Sequence, residues 1–129
     1  MDYQNLRKTV LIVEDDKILS NALKVKFQNE NFTVLTAFDG NEAKKIALSQ
    51  HPDVITLDLL MPVKDGINFM DEIRQDNWGK TVPIIILTNL EANDKMVSKI
   101  IKDKPSFYLI KTNTNLESIV NKIKEILKI

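Results

Sequence analysis

Asp58 ends a short apolar run, Val54-Ile55-Thr56-Leu57. Three other apolar runs also end in groups able to do chemistry. Val10-Leu11-Ile12-Val13 leads into Glu14, Asp15 and Asp16, Ile84-Ile85-Ile86-Leu87 into Thr88, and Phe107-Tyr108-Leu109-Ile110 into Lys111. If these runs are strands of one sheet, carboxylates, a hydroxyl and an amine meet at one edge. Glu14, Asp15 and Asp58 would form a dense negative site, since two unit charges about 5 Å apart repel by roughly 3 kcal/mol at an effective dielectric near 20. Hard oxygen donors without His or Cys favour Mg²⁺, with Mn²⁺ as a substitute, over zinc. Without metal, like-charge repulsion is expected to raise the pKa of one carboxylate. A phosphoryl group arriving at Asp58 needs its equatorial oxygens neutralised. The metal, the Lys111 ammonium and the Thr88 hydroxyl suit that task, and a carboxylate nucleophile would give an acyl phosphate.

The segments between the runs must bring these ends together. From Lys17 to Phe27, apolar residues recur at Ile18, Leu19, Ala22, Leu23 and Phe27, which is helix spacing, with Asp15 or Asp16 placed to cap its start. Phe32 to Ala37, aromatic and β-branched, reads as a strand. Asp39-Gly40-Asn41 reads as a turn, with a short helix from Glu42 to Gln50. Met61-Pro62-Val63-Lys64-Asp65-Gly66 is a loop, and a helix is expected from about Ile67 to Gln75. Further helices are expected from Asn93 to Lys102 and around Leu116 to Leu127. The pattern is βα repeated five times. Continuous apolar strands suit a parallel sheet covered on both faces, an α/β doubly wound three-layer sandwich. In such sheets function gathers outside the carboxyl ends of the strands.

Each residue taken alone has a plainer reading. Asp16 alone is a helix cap, Asp65-Gly66 a turn, Lys111 a solvated lysine and Thr88 a β-former at a strand end. The lone histidine, His51, reads as a solvated loop residue. Their combination is specific: acids after the first and third strands, a hydroxyl after the fourth, a lysine after the fifth. The 129 residues suit one domain, and 18 basic against 18 acidic residues attract neither nucleic acid nor an anionic membrane. With no cysteine, thiol chemistry and disulfides are excluded. No apolar stretch reaches the roughly 20 residues of a membrane span, and the first residues are not a secretory signal, so a cytoplasmic protein is expected.

The stretches Val10-Leu11-Ile12-Val13-Glu14-Asp15-Asp16, Asp58-Leu59-Leu60-Met61-Pro62-Val63-Lys64-Asp65-Gly66, Ile84-Ile85-Ile86-Leu87-Thr88 and Tyr108-Leu109-Ile110-Lys111 together resemble the receiver domain of bacterial two-component response regulators, in its single-domain chemotaxis-regulator form. The resemblance covers essentially the whole chain, 1–129, with residues 1–8 expected to be a loosely attached lead. It implies a flavodoxin-like (βα)5 fold with a five-stranded parallel sheet in the order 2-1-3-4-5. It implies a phosphorelay signalling protein rather than an enzyme, one that assists its own Mg²⁺-dependent phosphorylation and dephosphorylation. Asp58 would be the phospho-acceptor. Asp15 would ligate Mg²⁺ directly, Glu14 mainly through a water, and the Leu60 backbone carbonyl would add a ligand. Thr88 and Tyr108 would form the switch pair, and Lys111 would pair with the phosphoryl oxygen. The implied partners are a histidine kinase or histidine phosphotransfer protein and a downstream protein target. The fourth helix, fifth strand and fifth helix would form the output surface and a homodimer contact. With no further segment after the last helix, a DNA-binding or enzymatic output domain is not expected within the chain, which reads either as a stand-alone receiver that signals by protein contact or as one domain cut from a longer protein.

Three positions depart from the family pattern. Thr112 stands where proline usually follows the lysine, and a cis bond without proline costs about 3–4 kcal/mol, so a trans Lys111–Thr112 bond is expected. Asn89 replaces a small residue after the switch threonine and is expected to crowd or hydrogen-bond the phosphate site. Lys64 replaces an apolar residue and is expected to face solvent or a partner. Three rival readings meet the same residues. A receiver-like interaction module working without phosphorylation is the alternative, and the intact reactive set argues against it. A dehalogenase-type phosphohydrolase wants a second acid two residues after the nucleophile, where Leu60 stands. A flavodoxin-like electron carrier would place a phosphate where Glu14, Asp15 and Asp16 repel it.

Overall fold

The computed structural model describes residues 7–61 and 64–129. The first six positions of the expected lead, and Pro62 and Val63 of the loop after the third strand, lie outside the described residues. The elements run β1 (Thr9–Val13), α1 (Lys17–Asn29), β2 (Thr33–Ala37), α2 (Gly40–Gln50), β3 (Val54–Leu57), α3 (Gly66–Arg74), β4 (Ile84–Thr88), α4 (Asp94–Lys102), β5 (Phe107–Ile110) and α5 (Leu116–Leu127). A single 3-10 turn, Lys111–Asn113, links β5 to α5. The strands form one parallel sheet, as their apolar runs predict, in the order β2-β1-β3-β4-β5 that the resemblance implies.

Two apolar layers hold this sheet. Side chains alternate across a strand, so each strand feeds both. Leu11 and Val13 of β1, Ile55 and Leu57 of β3, and Ile84 and Ile86 of β4 pack with Ala43, Phe69, Met70 and Ile73 on one face. Val10, Ile12, Val54, Ile85 and Leu87 pack with Leu23, Phe27, Val120 and Ile123 on the other. Burial on both faces explains why these strands are almost wholly apolar, Thr56 of β3 being a buried exception.

Among the described residues, all five α-helices begin at an Asp or Asn whose side chain accepts backbone N–H groups of the first turn. Asp16 takes Ile18 and Leu19, Asp39 takes Glu42, Asp65 takes Asn68, Asn93 takes Met96, and Asn115 takes Ser118. Such caps satisfy donors that have no partner within the helix. The cap at Asp39 corrects the expected start of α2. The residues assigned to a turn are the cap and first helical turn, and α2 begins at Gly40. Likewise α3 starts at Gly66 and ends at Arg74, one residue earlier at each end than expected. Arg74 then ties α3 to the segments that lead into β4 and β5. Its guanidinium donates to the carbonyls of Asp103 (2.7 Å), Gly79 (2.8 Å) and Val82 (2.8 Å). Among the described residues, no helix is long and apolar enough to cross a membrane.

Candidate functional site

The parallel sheet delivers the ends of β1, β3, β4 and β5 to one edge, and the predicted reactive groups meet there. Asp58 follows β3 and is only 4% exposed. Its Oδ1 accepts the Thr88 hydroxyl at 2.6 Å and the Leu60 backbone N–H at 3.0 Å. Its Oδ2 lies 2.8 Å from the Lys111 ammonium. The same ammonium stands 2.7 Å from Glu14 Oε1. Glu14 is itself buried, and its Oε2 accepts the Asp16 backbone N–H at 3.1 Å. Asp15, next in the chain, is exposed, and carboxylate oxygens of Glu14, Asp15 and Asp58 lie within 4.8 Å of one another.

Local backbone chemistry sets this geometry. Asp16 serves as the α1 cap, leaving Glu14 and Asp15 to the site. Gly66 lets α3 start against the strand end that carries Asp58. A Cβ there would sit 2.4 Å from the Asp58 carbonyl oxygen and 2.7 Å from Leu59 Cα, closer than real contacts allow. Asp65-Gly66 is therefore a helix start pressed onto the backbone of Asp58.

The electrostatics bear on the expected cation. The carboxyl of Glu14 is pushed up to about 7. Burial is the largest cause, while the nearby Asp58 charge adds a smaller push and Lys111 pulls the other way. The expectation of one raised carboxylate thus holds, but its assigned cause does not: desolvation outweighs like-charge repulsion. Burial works against charge on Lys111, yet its bonds with Asp58 and Glu14 carry its pKa above the ordinary lysine value. One ammonium facing three clustered carboxylates leaves surplus negative charge among oxygen donors. That donor set fits a hard divalent cation of the Mg²⁺ class.

Tyr108 lies on β5, and its hydroxyl donates to the Leu90 carbonyl at 2.9 Å. The Leu90 N–H in turn donates to Thr88 Oγ1 at 3.3 Å. Leu90 thereby joins Thr88 to Tyr108 through its backbone, a link that no side-chain pattern announces. The Lys111–Thr112 bond is trans, as expected. Asn89 does not turn its acceptor over Asp58. Its Oδ1 accepts the Thr112 backbone N–H at 3.2 Å. Lys64, expected to face solvent or a partner, bends onto Glu72 of α3. His51 is exposed as expected, but it also caps α2 with φ 47° and stacks on Trp78, ring centroids 4.7 Å apart.

A parallel 2-1-3-4-5 sheet with acids, hydroxyl and lysine at its carboxyl edge is the architecture of a receiver. The family model described as the response regulator receiver domain matches residues 10–124, and the chain belongs to that family. Solved structures agree. The receiver domain of the Francisella response regulator 1452 is 29% identical, with a TM-score of 0.83, over 95% of this chain and 98% of that one. The Vibrio cholerae chemotaxis response regulator CheY4 is 28% identical, with a TM-score of 0.83, over 92% and 98% of the two chains. A CheY-like receiver domain protein from Methanospirillum hungatei JF-1, 20% identical over 95% and 94% with a TM-score of 0.86, shows the shared fold. The chain is thus a two-component signalling module, and its acidic pocket fits a phosphorylation site.

Proposed function

We propose that this receiver domain takes a phosphoryl group onto Asp58 from a histidine kinase or histidine phosphotransfer protein. The carrying observation is the state of Asp58. It is buried beside two other acids, with Thr88 on one oxygen and Lys111 on the other. An Asp58 oxygen forms the new O–P bond as the N–P bond of phosphohistidine breaks, and the imidazole leaves with a proton from solvent. Lys111 and Thr88 then move from the free carboxylate to the phosphoryl oxygens, so contacts already in place become contacts to the product. Glu14, Asp15, Asp58 and the Leu60 carbonyl would hold Mg²⁺, or Mn²⁺ in its stead, which would supply charge neutralisation at the transferring group. The amino ends of the helices face the same edge and favour an anion there.

The donor protein meets an apolar rim, since Ile18 is 85% exposed and Leu60 51% exposed beside the acids. The output lies on α4, β5 and α5. Thr88, Leu90 and Tyr108 form one hydrogen-bonded line from Asp58 to a groove of about 730 Å³ whose lining includes Val97, Ile100, Ile101 and Tyr108. Pulling Thr88 toward a phosphoryl group shifts Leu90 and the tyrosine, and so the surface offered to a protein target or a second copy of the chain. The protein works in the cytoplasm, signals by protein contact rather than through nucleic acid, and speeds its own dephosphorylation through the same residues.

The test is intact mass after incubation with Mg²⁺ and acetyl phosphate. One added phosphate is expected in the wild type and none in Asp58→Asn. An unmodified wild type, or an undiminished adduct in the variant, contradicts the proposal.

A further inference from the structure

The β4–β5 ladder ends at the pair Thr88 and Ile110. One residue beyond the end of β4 is Asn89, and two beyond Ile110 is Thr112. Between them the structure adds one more link, from the Thr112 backbone N–H to Asn89 Oδ1 at 3.2 Å. Each partner is the chain neighbour of a group on Asp58. Asn89 follows Thr88, which bonds Oδ1, and Thr112 follows Lys111, which bonds Oδ2. The link therefore spans the mouth of the site between the two residues that grip the nucleophile from opposite sides.

The chemistry of the link is unambiguous. A backbone N–H donates to the amide oxygen and not to the amide nitrogen, so it decides which way the Asn89 amide lies. The link also needs both residue types at once. A proline at 112 has no N–H to give, and a small apolar residue at 89 has no acceptor. Lys111 itself lies in a single 3-10 turn with no side-chain cap, its ammonium held by Asp58 and Glu14.

We infer that Asn89 and Thr112 form a clamp that positions Thr88 and Lys111 against the reacting oxygens of Asp58. Asn89 is a positioning residue in this scheme, acting through its two chain neighbours. The inference rests on the phospho-acceptor reading for its consequence, but not for the bond itself. Transfer rates respond steeply to small displacements of groups around a reacting atom, so loss of one exposed hydrogen bond should cost about three- to tenfold in rate.

The test is a double-mutant cycle on the full chain, using acetyl phosphate and Mg²⁺ with intact-mass time courses. Asn89→Ala is expected to lower the maximal rate of adduct formation by about three- to tenfold, with half-saturation in Mg²⁺ unchanged. The same change is expected in a Thr112→Ala background, which keeps the N–H. In a Thr112→Pro background, whatever rate that variant has, Asn89→Ala should change nothing. Faster hydrogen exchange at the Thr112 amide in Asn89→Ala is the matching structural readout. Persistence of the Asn89→Ala effect beside Thr112→Pro would overturn the clamp, since Asn89 would then act directly at the site mouth. So would an unaltered rate in Asn89→Ala, a loss confined to Mg²⁺ half-saturation, or unaltered Thr112 exchange. A wild type that takes no phosphate refutes the phospho-acceptor reading instead, and exchange at Thr112 and Lys111 then decides the clamp alone.

Discussion

The Lys111 ammonium stands 2.8 Å from Asp58 Oδ2, a contact that crosses 53 residues of sequence and holds the end of β5 to the end of β3. Lys111 also reaches Glu14, so one cation offsets two buried acids. Lys111→Met leaves both without it. Breaking a buried pair costs about 3–5 kcal/mol, and the partial exposure of Lys111 brings the expectation here down to about 2 kcal/mol. Urea denaturation should show the larger loss at pH 8 than at pH 6, because a proton on Glu14 relieves the repulsion. An equal loss at both pH values would argue that Glu14 does not share the lysine.

The raised Glu14 carboxyl makes a pH prediction with a definite sign. Its ordinary value is 4.5 and its folded value about 7, so between them the folded state binds more proton than the unfolded state. Metal-free stability therefore falls as pH rises through that window, by linkage. Cation binding wants the ionised form, so Mg²⁺ affinity should climb over the same range and level off above about 7. Calorimetric titration with Mg²⁺ at pH 6, 7 and 8 checks this, and a flat affinity would contradict it.

Gly66→Ala tests the close approach of α3 to Asp58. The added methyl would meet the Asp58 carbonyl oxygen and Leu59 backbone, neither of which can swing aside as a side chain end could. A loss of at least about 2 kcal/mol, in the range of overpacked cores, should accompany slower phosphorylation. Thermal unfolding together with the mass assay reads both.

Tyr108→Phe removes the donor to the Leu90 carbonyl while keeping the ring. A stability loss of about 1 kcal/mol is expected. Adduct formation with acetyl phosphate should stay within about twofold, because the hydroxyl does not touch Asp58. A tenfold fall in adduct formation would show that the tyrosine acts on the chemistry itself.

The sequence disclosed the fold because strands buried on both faces leave a plain signature. Val10–Val13 and Ile84–Leu87 have no polar interruption, and Glu14, Asp15 and Thr88 at their ends meet Asp58. Caps are half legible: the sequence offers Asp15 or Asp16 for α1 and the structure uses Asp16, whereas Asp39 reads as a turn because turn and helix start use the same residue types. The cause of the Glu14 shift was hidden, since burial depends on what folds over a residue. So were the contacts of Lys64 with Glu72 and of His51 with Trp78, which join segments distant in the chain. The Asn89–Thr112 bond had one faint signal, a non-proline residue after Lys111 and so an available N–H.

The central claim is that the Asp58 carboxylate becomes an acyl phosphate. Borohydride reduces an acyl phosphate to an alcohol, so reduction after incubation with Mg²⁺ and acetyl phosphate records the modified residue. Peptide mass mapping should then find homoserine at position 58 and aspartate intact at 15, 16 and 65. Reduction at another acid, or none at 58 in a protein that carries phosphate, would contradict the account.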